Sequence, residues 1–483
     1  MKINCLINYR LGKTIPKALV FNFMLATAAF SQPVNSAKTA VNPIDPAFID
    51  ISKPTLFTVP YTHLDDVWRW SYPQVIRDFL KNTLDDNFKA FNEYPNYVFN
   101  WTGANRYQMM REYYPEKYAE LKEWVAAGRW FPSGNSWSEN DVNVPSTESI
   151  IRQILMGHQF FKNEFGKESQ EFMLPDCFGF PYSLPSVLHH CGIRGFSTQK
   201  LTWESANGIP FNIGRWIGPD GKSVIAALNG GDYAAAHNHV YSTHNETLER
   251  LEKNRAVSGL PIDFFYIGGG DKNNADRGGV IQKVSLEAMK KTQETKGPIT
   301  VISGQADLMF RAITDEQTKK FPTWNKDLLL VKHSTGVLTS QAYTKKLNRK
   351  AELLANASER AVVAAHQFYG LAYPYGVLNE AWGLVLRNQY HDMLPGTSIP
   401  KAHEEGWNDG IIALNKFAGV YQDAIGALAR SLNTDVPGDR YLFLIHFPFH
   451  GKILLKPLSL KNWQMQHLFP SLMQWEKKFL RKL

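Results

Sequence analysis

His63-Leu-Asp65 sets an imidazole and a carboxylate two residues apart, on one side of an extended segment, where both can reach a single ion. Farther along are Asp176, in Leu174-Pro-Asp-Cys-Phe-Gly-Phe180, and His391-Asp392, in Asn388-Gln-Tyr-His-Asp-Met-Leu-Pro-Gly-Thr397. Two imidazoles and two carboxylates form a borderline ligand set. It suits zinc better than calcium or magnesium, which favour oxygen donors. Each signal alone has a plainer reading. A His-x-Asp is commonly a cap or a salt bridge, a strand-end Asp an N-cap, and a His-Asp pair a partner for its own backbone. Their joint placement, on strand ends plus one approach from a helical region, is harder to assign to chance.

The elements that must position them can be read from apolar patterning. From Pro54 to about Phe310, short apolar segments alternate with helical stretches: Leu56–Val59 then 71–90, Tyr97–Trp101 then 104–127, Glu171–Leu174 then 183–191, Phe264–Ile267 then 280–295, and Thr300–Ile302. Such repetition predicts an α/β domain with a mainly parallel sheet, whose sites lie at the carboxyl ends of the strands. His63 and Asp65 follow the first of these strands, Asp176 follows Phe172–Leu174, and Asp271 follows Phe264–Ile267 across three glycines. From about Lys345 the texture changes. Helices are predicted over Leu347–Tyr369, Glu380–Gln389 and 403–431, the last with Ile411, Leu414, Phe417, Val420, Ile425 and Leu428 in helical register. Short connections between them predict a three-helix bundle.

Length and charge bound the rest. A chain of 483 residues implies two or three domains, and 44% hydrophobic with 20% charged residues is the balance of a soluble globular protein. Three cysteines are too few for a disulfide scaffold or a four-thiolate metal site. The formal charge of +8 is carried by the ends: +4 in residues 1–35, +6 in 441–483, and −2 in everything between. A nucleic-acid partner therefore has little support. Residues 1–32 read as a signal peptide, with basic residues up to Lys17, an apolar run to Phe30, then small and polar residues. That run is too short to span a bilayer, so a secreted or periplasmic protein with no stable membrane anchor is expected. Removing it takes Cys5 and leaves Cys177 and Cys191, whose pairing the sequence does not settle. Residues 433–483 form an abrupt lysine-rich tail, read either as membrane-touching or as a stretch outside the native reading frame.

Three segments carry a specific resemblance: Pro60-Tyr-Thr-His-Leu-Asp-Asp-Val-Trp68, Leu174–Phe180 and Asn388–Ser398 resemble signature segments of glycoside hydrolase family 38, the retaining zinc α-mannosidases. Gly128-Arg-Trp-Phe-Pro132, Asp141–Ser149 and His333–Gln341 resemble the family too, in the right order over about residues 50–440. The resemblance implies a seven-stranded α/β barrel catalytic domain (50–312), a three-helix bundle domain (313–432), and C-terminal β-domains missing from this chain. It implies one Zn2+ per chain on His63, Asp65, Asp176 and His391, with Asp176 also the nucleophile. Trp68 and Phe178 match aromatics lining the sugar subsite, and Lys200 falls where some members have an arginine near the nucleophile. Asp271 is the candidate general acid, with Asp276 as the alternate. The implied substrate is a terminal α-D-mannoside of an oligosaccharide or glycoprotein glycan, with turnover impaired by the missing region.

Two departures bear on site geometry. Many members have a second histidine two positions before the ligand histidine; Tyr61 stands there and can take over through its hydroxyl. Asp66-Val67 replaces a usual Pro-Gly before the tryptophan. Two other readings remain open: a zinc amidohydrolase-like barrel enzyme, which wants the His-x-His that Tyr61 breaks, and a glycan-binding remnant without turnover.

Overall fold

A computed structural model describes residues 38–268 and 277–430, together with two short antiparallel strands, Ile445–His446 and Ile453–Leu454. The proposed signal segment 1–32, the rest of the tail, and both candidate acids, Asp271 and Asp276, lie outside the described residues.

Ten strands are described between residues 55 and 324: β1 (Thr55–Pro60), β2 (Phe99–Trp101), β3 (Trp130–Pro132), β4 (Glu171–Met173), β5 (Gly195–Ser197), β6 (Ile213–Ile217), β7 (Ser223–Ala227), β8 (Ile262–Ile267), β9 (Thr300–Ser303) and β10 (Thr323–Trp324). They pair as β8-β1-β9, β2-β3 and β10-β6-β7-β5-β4. Every pair is parallel except β6 with β7. A parallel bridge from Tyr61 to Asn100 ties the end of β1 to β2. β1 is buried along its whole length. A strand covered on both faces needs a continuous apolar run, which Leu56-Phe-Thr-Val59 supplies, with Phe57 paired to Phe264 and Ile302. Each large side chain removed from water there contributes about 1.5–3 kcal/mol.

The alternation read from the sequence matches these strands to within two residues at each end. The helix expected over 104–127 is two helices, Ala104–Tyr113 and Pro115–Ala126. Pro115 lacks the N–H that a continuous helix requires and is well placed in a first turn, so it starts the second helix. The patterning does not mark β3, β5, β6, β7 or β10, or the helices Thr147–Phe165 and Asn245–Ser258. Thr147–Phe165 does carry its own punctuation: the Ser146 side chain accepts from the Ser149 N–H, and Gly166 ends the helix in the left-handed conformation at φ 63°.

Three helices follow, Ala342–Tyr369, Tyr375–Arg387 and Pro400–Arg430. The buried stripe of the third differs from the expected one. Ile411 is exposed and Leu414 and Ile425 are half-buried, whereas Ala402, Gly406, Gly410, Ala413, Phe417, Val420, Ala424 and Leu428 are buried. Small residues let neighbouring segments close in: a Cβ added at Gly406 would sit 2.8 Å from Met393 Sδ. Cys177 and Cys191 are free thiols. Among the described residues no helix is long and apolar enough to cross a membrane.

Candidate active site and metal centre

The side chains singled out by chemistry meet where the strands end. Past β1 come Tyr61, His63, Asp65 and Asp66; past β3, Glu139; past β4, Asp176; past β5, Lys200; past β7, Tyr233. The bundle contributes His391 and Asp392 from the turn between its second and third helices. That turn is held by main-chain bonds to the segment after β3: Asp141 N–H donates to Gln389 O at 2.8 Å and His391 N–H to Glu139 O at 3.1 Å.

His63, Asp65, Asp176 and His391 each present one donor atom, and the four atoms lie within 4.8 Å of one another, all buried. The separations are 3.0 Å from His63 Nε2 to Asp65 Oδ1, 3.5 Å from His391 Nε2 to Asp65 Oδ1, and 3.6 Å from His391 Nε2 to Asp176 Oδ2. Zinc held tetrahedrally at about 2.0–2.1 Å spaces its donors by roughly 3.3–3.4 Å, so the set fits a metal of that size. An unsatisfied atom points the same way. His391 Nδ1 lies 2.9 Å from Glu139 O and donates to it, which leaves Nε2 as the free lone pair, and Nε2 is buried without a hydrogen-bond partner.

Charge adds a third reason. Asp65, Asp66, Glu139, Asp176 and Asp392 are five buried carboxylates against two buried cations, Arg106 and Lys200. A divalent cation offsets most of that excess. Without one, the protons carry the load. Burial opposes charge on His63, yet Glu139 and Asp65 override it and push the imidazole up to about 9. Asp65, despite burial, is held down to about 2 by His63 and His391. Asp176 is held far below the usual carboxylate range, since Lys200 and the two imidazoles outweigh its burial. Asp392 goes the other way, pushed well up by burial and by the Asp65 charge.

Lys200 Nζ lies 2.5 Å from Asp176 Oδ1 and 4.0 Å above the Trp203 ring. Phe178 is half-buried and turns an edge to His391, their centroids 5.9 Å apart at 90°. Trp68 is half-buried three residues past Asp65, under the Arg69 guanidinium. Sequence reasoning missed three residues. Tyr233 donates to Asp176 Oδ1 at 2.8 Å. Glu139 and Arg106, both fully buried, lie beneath the cluster. Arg106 Nε donates to Asp66 at 2.6 Å and Nη1 to Glu139 at 2.9 Å, with Nη2 on Leu64 O. Glu139 lies between two segments that carried the family resemblance, so its position was in view. Burial, the feature that sets it apart, is not a property of composition.

A buried His-Asp-Asp-His group at the strand ends of an α/β sheet assembly, completed by a turn from a helical region, is a site that could hold a metal ion. Residues 53–327 match the family described as "Glycosyl hydrolases family 38 N-terminal domain", and residues 332–428 match "Alpha mannosidase middle domain". The chain belongs to glycosyl hydrolase family 38. It is 31% identical over 358 residues to human "Alpha-mannosidase 2C1", covering 73% of this chain and 33% of that protein. It is 33% identical over 360 residues to "Alpha-mannosidase G" of Dictyostelium discoideum, covering 73% and 31%. The fold is similar to the crystal structure of an alpha-mannosidase from Enterococcus faecalis, with TM-score 0.65 at 18% identity over 81% of this chain and 46% of that one. The chain spans about a third of the length of the curated relatives it matches.

Proposed function

We propose that this chain carries the catalytic centre of an α-mannosidase that cleaves terminal α-D-mannosides of glycans with retention of configuration, and that its metal is one Zn2+ on His63, Asp65, Asp176 and His391. The convergence of those four buried side chains from two strand ends and a bundle turn carries the reading. Bound there, zinc would supply Lewis acidity and a fixed positive charge to sugar hydroxyls. The protein's own groups do the rest. Asp176 is the proposed nucleophile: Lys200 and Tyr233 both sit on its Oδ1, which orients the carboxylate and keeps it ionised for attack at the anomeric carbon. Of the four side chains it is the most exposed, at 12% against 0–4% for the others, as a group that must meet substrate requires. Phe178 and Trp68 offer apolar faces to a pyranose ring.

Retention needs a second carboxyl group that stays protonated to release the leaving oxygen, about 5–5.5 Å from the nucleophile. We assign it to Asp271, past β8 and outside the described residues. The three sheets are read as staves of one α/β barrel with its catalytic mouth at the strand ends. The test is hydrolysis of an aryl α-mannoside by the full chain with added zinc, following the first-formed anomer by proton NMR. The α-anomer forming first, with loss of turnover in Asp176→Asn, supports the reading. Sugar binding with no turnover in any metal would overturn it in favour of a glycan-binding remnant.

A further inference from the structure

Two imidazoles from distant parts of the chain, 328 residues apart in number, lean on one residue outside the ligand set. Glu139 takes His391 Nδ1–H on its main-chain carbonyl at 2.9 Å. Its carboxylate, through Oε1, accepts from the Tyr61 hydroxyl at 2.7 Å, from Arg106 Nη1 at 2.9 Å and from the Thr102 hydroxyl. Its other oxygen, Oε2, has no hydrogen-bond partner and faces His63 Nδ1 at 3.4 Å. Tyr61 closes the loop, its hydroxyl 2.8 Å from that same Nδ1.

Donor arithmetic decides where the protons lie. A carboxylate held by Arg106 is acceptor-only, so the single hydroxyl proton of Tyr61 goes to Glu139. The Tyr61 oxygen then has only lone pairs to offer His63, whose Nδ1 must be the donor. The orphaned Oε2 favours the same proton on Nδ1. With Nδ1 protonated, the lone pair of the neutral ring is on Nε2, which points at Asp65 3.0 Å away. His391 is fixed in the same tautomer by the carbonyl of the same residue.

We propose that Glu139 is the positioning residue of the metal centre, setting the tautomer and ring orientation of His63 through Tyr61 with its side chain, and of His391 with its main-chain carbonyl. The inference rests on the metal reading above, and assigns to Glu139 and Tyr61 a role distinct from ligation. Groups that orient metal-binding imidazoles are worth about ten- to a hundredfold in metal affinity.

Glu139→Gln is nearly isosteric and discriminating. Whichever way the amide turns, an N–H2 replaces an acceptor: toward Tyr61 and Arg106, or toward His63 Nδ1. In the first case Tyr61 turns its proton to His63, and in the second the amide does so directly. Either way a donor is brought against Nδ1 where the parent offers only acceptors, and the balance shifts toward the Nε2–H form. The test is Zn2+ affinity of the full-length chain, by competition with a chromophoric chelator, for the parent, Glu139→Gln, Tyr61→Phe and the double variant. Histidine 15N chemical shifts of the metal-free proteins are read alongside, at a pH above the raised value of His63, where its ring is neutral. Expected are a ten- to hundredfold loss in Glu139→Gln, a loss of similar size in Tyr61→Phe, and a double variant no weaker than the poorer single one. The His63 15N pattern should move from the Nδ1–H toward the Nε2–H form. Tyr61→Phe removes no charge, so it carries the test if Glu139→Gln does not fold. Parent-like affinity, within twofold, in a folded variant overturns the positioning role while leaving the metal site intact. A parent chain that binds no zinc overturns both.

Discussion

Arg106 offers a direct measure of how much stability the ground beneath the site contains. Its guanidinium is fully buried, and its forked donors reach Asp66, Glu139, the Thr102 hydroxyl and carbonyl, and Leu64 O. Arg106→Met keeps much of the volume and removes the charge. Breaking a buried ion pair from one side costs about 3–5 kcal/mol, because the partner is left charged and desolvated. Two carboxylates are uncovered here, so the lower bound is about 3 kcal/mol at pH 8. The loss should also depend on pH with a definite sign. Burial already raises the Asp66 carboxyl above its ordinary value even with Arg106 in place. Without the guanidinium it rises further, so the variant takes up a proton more readily folded than unfolded and regains stability as pH falls. Urea unfolding at pH 8 and pH 5.5, followed by near-UV circular dichroism, reads both effects. The midpoint should drop by roughly 0.5–1 M at pH 8, and by less at pH 5.5. A loss under about 1 kcal/mol, or an equal loss at both pH values, would show that the network is solvated and does not support the site.

Gly268 passes so close to the main chain of Tyr233 that an added Cβ would lie 1.4 Å from its carbonyl oxygen. Gly268→Ala should therefore cost about 3 kcal/mol, the upper end for overpacking, and withdraw the Tyr233 hydroxyl from Asp176; a thermal melt and a tyrosine-resolved spectrum check both. Asp176→Asn should lower aryl mannoside turnover at least about a thousandfold while the chain stays folded; residual activity above a tenth would remove Asp176 from the nucleophile's place. Zinc must displace the proton on His63, whose value in the metal-free protein is about 9. His391 also holds its proton, since Cys177, Asp176 and Asp65 outweigh its burial, so apparent zinc affinity should climb at least about tenfold per pH unit from 7 toward 9; a flat profile in chelator competition would contradict it.

Much of this site was legible before any coordinates. The ligand candidates could be picked out because their joint placement, on strand ends plus one helical approach, is specific although each signal alone is common, and His63, Asp65, Asp176 and His391 do converge. Lys200 was placed by resemblance alone, and its ion pair with Asp176 is a feature of three-dimensional packing. Glu139, Arg106 and Tyr233 had no such signal, because a glutamate that serves as a solvated cap and one that holds two metal-site histidines have the same letter in the chain. The fold was legible where apolar runs were long, as in β1, and illegible at some strands of only three residues, as in β3 and β5. Three helices lie in the region where a bundle was expected, but the third one's buried face was misjudged. Isoleucine at position 411 suggested a buried stripe, whereas close helix packing selects Ala413, Gly406 and Gly410.

The convergence of His63, Asp65, Asp176 and His391 on one ion is best tested by X-ray absorption at the zinc edge of the full chain after loading and desalting. One equivalent of zinc is expected, with nitrogen and oxygen neighbours at about 2.0–2.1 Å, the signature of two imidazoles, and loss of the metal in His391→Ala. A sulfur neighbour at about 2.3 Å, which would bring Cys177 into the ligand set, or zinc retained undiminished without His391, would contradict it.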